Sequence, residues 1–462
     1  MTEKDEIKSK DLPFTAIILA AGKGTRMNSS LPKVLHPVAG KPMISRVIAC
    51  CKKAGVNDIR VVVGHGAGLV KNVLETEGVS FFEQKQQLGT ADAVRSAQPE
   101  TIEGNIIILN GDHPLIEARD IEGFIREFKE QKLDIGLVST VLKEPGDFGR
   151  VVRSGGELYA IVEAKDASAE AKKIKEVNTG IYLTRAAILN LLLPDIKNQN
   201  LKKEYYLTDI ISLGISERKK VKTITGAKNV SMGVNNQIEL AKATKIVFKS
   251  HMKKLMESGV LIIDPRNTYI EETVEVAPGT VIYPGSYIKG HTKIGKFCMI
   301  EPNAFIVDTM IEDSVQIRAG SYLESSIIRT KCSVGPYARV RPDSELLEEV
   351  HIGNFVEVKK SKLGKHTKAA HLAYIGDADV GANTNIGCGT IFVNYLPNKT
   401  KHKTKVGDNC FIGSDVQLIA PIEIGAGATI GAGSVITKNV PANALAVTRS
   451  PQVIKENYKP KS

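Results

Sequence analysis

The sequence predicts two structural grammars in one chain: an α/β domain over residues 1–237, a helical linker over 238–258, and a parallel β-helix of hexapeptide repeats over 259–462. Three observations predict this. Apolar runs alternate with helical stretches in the first half, an amphipathic segment follows, and then an aliphatic residue recurs every six positions. At 462 residues the chain has room for two or three domains with sizeable cores.

In the first half, residues 15–20 form an apolar run that ends at Gly22, residues 59–63 one that ends at Gly64, and residues 106–109 one that ends at Asn110-Gly111-Asp112. Helical stretches such as 43–54 and 68–77 lie between them. Such alternation indicates a Rossmann-like, mostly parallel sheet covered by helices on both faces. Ligands of these sheets sit beyond the carboxyl ends of the strands, so the turns at Gly22 and Asp112 are where chemistry is expected. Gly64-His65-Gly66-Ala67-Gly68 reads as an ordinary turn, with His65 structural. In the linker, Phe248, Met252, Leu255 and Met256 recur at helical spacing and Gly259 is the stop signal.

Aliphatics then stand at Ile270, Val276, Ile282, Ile288, Ile294, Ile300 and Ile306. The phase slips to Ile311, Ile317 and Leu323, and again to Ile328, Val334, Val340, Leu346, Ile352 and Val358. After a break the period resumes at Val380, Ile386 and Phe392. Residues 394–405 interrupt it, and it continues from Val406 to Ile436. Each aliphatic points into a prism while the residues between turn a corner. A β-sandwich would alternate with period two. The 394–405 interruption reads as an insertion loop on one corner, and insertions in solenoids commonly build the binding face.

Composition narrows the function. Hydrophobic residues make up 42% and charged residues 24%, which excludes wholesale disorder. No apolar run reaches the roughly 18 residues of a membrane helix. The opening MTEKDEIKSKD has no apolar core of a signal peptide, so a cytoplasmic protein without membrane insertion is expected. The six cysteines contain no C-x-x-C pair and read as reduced thiols. Of the net charge of +11, +7 lies in residues 359–405, where nine Lys face two acids and no Arg occurs. Without Arg for bidentate base reading, phosphorylated small molecules fit this patch better than nucleic acid does.

Leu19-Ala-Ala-Gly-Lys-Gly-Thr-Arg-Met27 follows a strand, so its small residues let backbone amides close on phosphate oxygens while Lys23, Arg26 and Lys33 neutralise them. It is not the dinucleotide fingerprint, because Met27 stands where the third Gly belongs. Nor is there a Walker A loop, since the G-x-x-x-x-G-K at 290–296 is followed by Phe297.

This segment, with Pro-Lys-Val-Leu-His at 32–36, closely resembles the sugar-phosphate nucleotidyltransferases. Gln84 with Leu88-Gly89-Thr90, Asn110-Gly111-Asp112, Phe148-Gly149-Arg150, Ile161-Val162-Glu163, Asn178-Thr179-Gly180 and Gly233-Val234-Asn235 follow in order. Joined to hexapeptide repeats, the chain from about residue 14 to about 453 resembles the bifunctional N-acetylglucosamine-1-phosphate uridyltransferase/glucosamine-1-phosphate acetyltransferase family of bacterial cell-envelope synthesis. The resemblance implies a nucleotidyltransferase domain, a left-handed β-helix and a homotrimer with acetyltransferase sites shared between subunits. It implies that Leu19, Ala20, Ala21, Gly22, Gln84, Gly89, Thr90 and Asn110 hold the uridine nucleotide of UTP, and that Gly149, Glu163 and Asn178 hold the N-acetyl sugar. Asp112 and Asn235 would ligate Mg²⁺, a hard cation that needs one or two such oxygens and keeps its waters. Arg26 and Lys33 would meet the charge that develops as UMP is transferred.

In the β-helix a lone His is ordinarily a surface residue, but His371-Leu-Ala-Tyr-Ile-Gly-Asp377 resembles the acetyltransferase motif of the same family. His371 would take the proton of the glucosamine-1-phosphate amine, a task suited to an imidazole with its ordinary pKa near 6.5, with Glu357 a candidate to orient it. Arg341 and Lys359 suit the sugar phosphate, and Tyr374 and Asn385 its hydroxyls. Acetyl-CoA would lie against Cys388, Asn394, Tyr395, Ser414, Ala432 and Arg449. The chain departs from the family in Asn110, in Cys388 and in the Leu396-Pro397 that follow Asn394-Tyr395. Two alternatives are a single-activity sugar-nucleotide pyrophosphorylase with a non-catalytic β-helix, and a regulatory subunit that has lost its sites.

Overall fold

A computed structural model describes residues 12–459, so the charged opening segment at residues 1–11 lies outside the described residues. The chain divides into two compact units, one ending at Val247 and the other beginning at Phe248.

The first unit is built on one mixed sheet. Its strands are β1 (Phe14–Ala20), β2 (Asp58–Val63), β3 (Ser80–Glu83), β4 (Asn105–Asn110), β5 (Ile135–Val141), β6 (Arg150–Ser154), β7 (Glu157–Val162), β8 (Glu176–Arg185) and β9 (Val221–Thr225). The main order is β9-β5-β8-β4-β1-β2-β3, with β6 and β7 as a hairpin against β8. Pairings are parallel except where β8 runs antiparallel between β4 and β5 and along the hairpin.

The apolar runs follow from burial on both sides. Ala16 and Ile18 of β1 pack into one core with Ile44, Val47 and Phe124 of the covering helices, while Ile17 packs into another with Val94, Leu189 and Ile210. Strands covered on both faces have no polar face to alternate with. From β1 the chain proceeds outward to β2 and β3, then returns to place β4 on β1's other side. That reversal makes the carboxyl ends of β1 and β4 a topological switch point, where a crevice opens. The two expected turns, at Gly22 and Asp112, lie there.

The division between the units falls within the helix Gln237–Glu257. Phe248, Met252 and Leu255 are buried, whereas Met256 is 39% exposed. Eight residues of α-helix turn Met256 about 80° away from Phe248, to the rim of the apolar stripe.

The second unit is a left-handed parallel β-helix. The repeat aliphatics from Ile270 to Ile436 are all buried, and they stack in register coil upon coil: Ile270 beneath Ile288, Val276 beneath Ile294, Ile282 beneath Ile300. The expected break between Val358 and Val380 is not a break. Leu363, Ala369 and Ile375 are fully buried there and continue the core. The period was hidden because two of its steps, 358 to 363 and 375 to 380, are five residues long and Ala369 is small.

The same shortened step occurs at 306 to 311 and at 323 to 328, and all four fall on one edge of the prism. On that edge Asp308, Ser325, Lys360 and Asp377 adopt left-handed φ of 46°, 43°, 47° and 49°, which closes the corner one residue sooner. The 394–405 insertion leaves from the same edge, here called the insertion edge, so slips and insertion alike leave the strand register intact. The insertion is a small hairpin in which Tyr395 bridges Lys401 and the Leu396 amide donates to the Thr400 carbonyl at 3.1 Å.

Phe392 fills a repeat position otherwise held by smaller aliphatics and is fully buried. Truncation to Ala should cost about 3–5 kcal/mol of stability. Chemical denaturation of Phe392→Ala, followed by far-UV circular dichroism, measures this.

Candidate active sites

At the switch point, β1 delivers Leu19 and Ala20 to the crevice, with Ala21 and Gly22 at its lip. A Cβ built on Gly22 meets nothing within 4 Å, so open space remains in front of the turn. Gly24 has φ +59°, and a Cβ there would lie 2.6 Å from Lys33 Cβ, so glycine lets the turn close over the Lys33 stem. The Asp112 turn is tied to β1 by the Gly111 amide donating to the Leu19 carbonyl at 2.9 Å.

Lys33 Nζ donates to Asp112 Oδ2 and, at 3.2 Å, to Asn235 Oδ1. The two expected metal ligands thus converge on one cationic group although 123 residues separate them. The Val234 amide donates to the Asp112 carbonyl at 2.9 Å, and the Asn235 amide to Glu239 Oε2 at 2.7 Å, which fixes the segment carrying Asn235. Burial opposes ionisation of Asp112, but the charges of Lys33 and of the neighbouring His113 outweigh it and hold the carboxyl below the ordinary range. His113 is pushed below its usual pKa, chiefly by burial and against the pull of Asp112. One carboxylate and one amide oxygen facing a single point form a donor set that fits Mg²⁺, which completes its shell with phosphate oxygens and water.

Gln84, buried at the end of β3, donates to the Gly89 carbonyl at 3.1 Å and to Asp92 Oδ2 at 2.8 Å. Thr90 Oγ1 accepts from the Leu207 amide at 2.9 Å, so the Gln84–Thr90 segment is held from two sides. The Gly149, Glu163 and Asn178 trio is brought together: a Cβ on Gly149 would lie 3.5 Å from Glu163 Oε1 and 3.7 Å from Asn178 Cβ. Asn178 Nδ2 donates to the Tyr182 hydroxyl at 2.7 Å, and Asn178 Oδ1 accepts from the Gly180 amide at 2.8 Å. Burial raises Glu163 above the usual carboxylate range. Asn110 lies against Gly180, where a Cβ would come within 2.4 Å of its Nδ2.

Arg26 is not brought into this cluster. It is exposed and stands 3.9 Å from Asp147. The turn after β2 does more than sequence reasoning allowed it. The His65 amide donates to the Ala21 carbonyl at 3.3 Å, and a Cβ on Gly66 would lie 2.5 Å from Pro32, so this turn props the Ala21–Pro32 loop from behind.

In the second unit the paired positions 352, 369, 386, 412 and 430 run up one face. Two residues beyond each stand Asn354, His371, Cys388, Ser414 and Ala432, a column along one edge. Arg449 joins its end, its Cδ 3.8 Å from the Cβ position of Gly433. The expected acetyl-CoA residues Cys388, Ser414 and Ala432 therefore lie in line with His371.

His371 Nδ1 lies 2.9 Å from Asn354 Oδ1, its neighbour one coil below. An amide oxygen only accepts, so Nδ1 carries the proton and Nε2 is the free acceptor. Glu357, expected to orient this ring, instead pairs with Arg341 at 2.8 Å. It sits one coil below Tyr374, three positions along the coil from the Asn354–His371 rung and on the next face of the prism, so it does not reach the ring. Asn354 was missed because its signal is the coil length: 17 residues before His371. Replacing Asn354 by Ala should lower acetyl transfer by about 5-fold, since removing a net hydrogen bond of about 1 kcal/mol leaves the ring free to turn. Asn354→Gln should restore part of the rate, and the acetylation kcat of both variants checks this.

On the insertion edge, Lys359 Nζ contacts Asp377 Oδ2 at 3.2 Å, and buried Asn394 donates to Asp377 Oδ2 and, at 3.3 Å, to the Tyr374 hydroxyl. Asn394 thus links the insertion to the expected sugar-binding residues. Asn385 lies half-buried on the neighbouring face, paired with Lys368, and Tyr395 is exposed on the hairpin.

A nucleotide-type crevice at an α/β switch point and a single histidine in an edge column of a hexapeptide prism define a two-site transferase. Residues 16–175 match the MobA-like NTP transferase domain, residues 267–368 the GMPPB C-terminal domain, and residues 403–438 the bacterial transferase hexapeptide (six repeats). The chain is 60% identical over 449 residues to the bifunctional protein GlmU of Bdellovibrio bacteriovorus, covering 97% of this chain and 98% of that one. It is 45% identical over 444 residues to its namesake in Carboxydothermus hydrogenoformans, covering 96% and 99%. The chain belongs to the bifunctional GlmU family.

Proposed function

We propose that the switch-point crevice transfers UMP from UTP to N-acetylglucosamine-1-phosphate, and that the His371 edge acetylates glucosamine-1-phosphate from acetyl-CoA. The chain is a bifunctional uridyltransferase and acetyltransferase that makes UDP-N-acetylglucosamine, a precursor for cell-wall synthesis. The observation that carries the division of labour is the convergence of Lys33, Asp112 and Asn235 in one unit and of His371 with Asn354 in the other.

In the crevice, backbone of the Leu19–Gly22 turn and the Gln84–Thr90 segment hold the nucleotide, and Gly149, Glu163 and Asn178 hold the acetylated sugar. Asp112 and Asn235 would hold Mg²⁺, which when bound would neutralise phosphate charge. Lys33 brings a positive charge to the same point, and Arg26, exposed beside Asp147, would supply a second. Positioning and charge suffice, because phosphoryl-type transfer asks little covalent work of the protein.

At the second site Nε2 of His371 takes the proton of the sugar amine as its nitrogen attacks the thioester carbonyl. The CoA thiolate leaves and an amide forms. Arg341 and Lys359 meet the sugar phosphate, Tyr374 and Asn385 the hydroxyls, and the column from Cys388 to Ala432, with Asn394, Tyr395 and Arg449, receives acetyl-CoA.

The protein works as a homotrimer. Tyr337, Phe355 and Leu372 stand three residues past successive paired positions beside this column, exposed by 60%, 59% and 58% and all at left-handed φ. Large apolar side chains in that conformation and in water are doubly unfavourable, which supports their coverage by a second copy. Among the described residues no helix is long and apolar enough to cross a membrane.

Incubation of the purified protein with glucosamine-1-phosphate, acetyl-CoA, UTP and Mg²⁺ tests the reading. Release of free CoA together with UDP-N-acetylglucosamine supports it, whereas turnover only of supplied N-acetylglucosamine-1-phosphate would reduce the β-helix to a scaffold.

A further inference from the structure

His113 has no task in either reaction as described. Its imidazole is buried at the mouth of the crevice, with Nε2 3.7 Å from Asp112 Oδ1, the carboxylate oxygen that Lys33 does not hold. That separation is too long for a hydrogen bond. It is short enough for one ion to touch both atoms, because two bonds of about 2.1 Å reach across at most about 4.2 Å. The ring's edge is also kept clear. A Cβ on residue 233 would come within 2.9 Å of Nε2 and 3.1 Å of Cδ2, and residue 233 is Gly. Because the Val234 amide is bonded to the Asp112 carbonyl, the segments carrying Asp112, His113 and Asn235 are tied into one frame.

We propose that His113 is a nitrogen donor to the divalent cation held by Asp112 and Asn235, so that this site takes Co²⁺ more tightly than its oxygen donors alone would. The inference rests on the assignment of the cation to Asp112 and Asn235. Imidazole favours the later first-row metals, whereas Mg²⁺ is content with oxygen and water. A site with this mixed set therefore binds Mg²⁺ without depending on His113 and gains affinity from the ring only for softer ions.

The test is titration of the full-length protein with Co²⁺ in the absence of substrates. It is read by visible absorption and by the hyperfine-shifted imidazole N–H resonance that a cobalt-bound histidine gives. Loss of an outer-sphere partner already costs about 10–100-fold in metal affinity. His113→Phe, which keeps a ring without nitrogen, should therefore weaken Co²⁺ by at least about 10-fold and remove the shifted resonance. Mg²⁺ affinity, measured by competition, should hardly change. His113→Gln, which crowds less, should lose the resonance as well. Asp112→Asn should abolish tight binding of either ion. If Asp112→Asn abolishes Co²⁺ binding while both His113 variants keep the affinity and the resonance, His113 is not a donor and the cation assignment stands. If Asp112→Asn leaves Co²⁺ bound as in the unaltered protein, the cation site itself is elsewhere and the proposal falls with it.

Discussion

His371→Ala should lower acetyl transfer by roughly 10²–10⁴-fold, the range for loss of a positioned proton acceptor. The ring has one nitrogen committed to Asn354 and the other free, so in the proposed reaction the free one would meet the substrate amine with its lone pair. Alanine at this position takes no proton and leaves Asn354 without its partner. Glucosamine-1-phosphate should still bind the variant, because Arg341 and Lys359 are untouched, so the loss should appear in kcat far more than in KM. Uridylylation of supplied N-acetylglucosamine-1-phosphate should continue at the unaltered rate, since that reaction belongs to the other unit. Acetylation measured by thiol release, beside diphosphate release from UTP, separates the outcomes. A variant that acetylates at near-normal rate would remove His371 from the reaction.

Asp112→Ala should abolish measurable uridylyl transfer and spare acetylation. The site offers one carboxylate and one amide oxygen, so deleting the carboxylate removes most of the anchoring of the cation and leaves the Lys33 ammonium half-buried without its ion partner. Mild acid should not imitate the substitution. Although burial opposes ionisation, Lys33 and His113 hold the Asp112 carboxyl below the ordinary range. The charged form therefore persists as pH falls through the usual carboxylate pKa near 4 and is lost only below it. Diphosphate release measured between pH 8 and pH 5 should show no step attributable to this group. Equal loss of both activities in Asp112→Ala would mean misfolding or a wrong assignment, and circular dichroism of the variant tells these apart.

Most of the fold was legible because both units repeat a simple physical demand. Strands β1, β2 and β4 are buried on both faces and so read as continuous apolar runs, and each coil of the prism must put an aliphatic inside at a fixed interval. The one stretch misread, between Val358 and Val380, combined two shortened steps with a small inward Ala369. Register survives such slips in space because they share an edge, whereas along the chain they look like an end of the pattern.

The two-part architecture, the Gly-rich turn with Lys33, the Asp112 turn and the motif around His371 were all readable along the chain. These signals are local, since a turn after a strand or an aliphatic every six residues is readable within a short window. Which distant residues meet depends on how the chain folds back on itself. The fold brought Asn235 to Lys33 and Asp112 through the sheet's switch point, and propped the Ala21–Pro32 loop with the turn at Gly66. It gave His371 the partner Asn354 and left Glu357 to Arg341. In a β-helix contact is set by coil length and by the alternation of faces, so a residue one coil away is a closer neighbour than one a few positions along the chain.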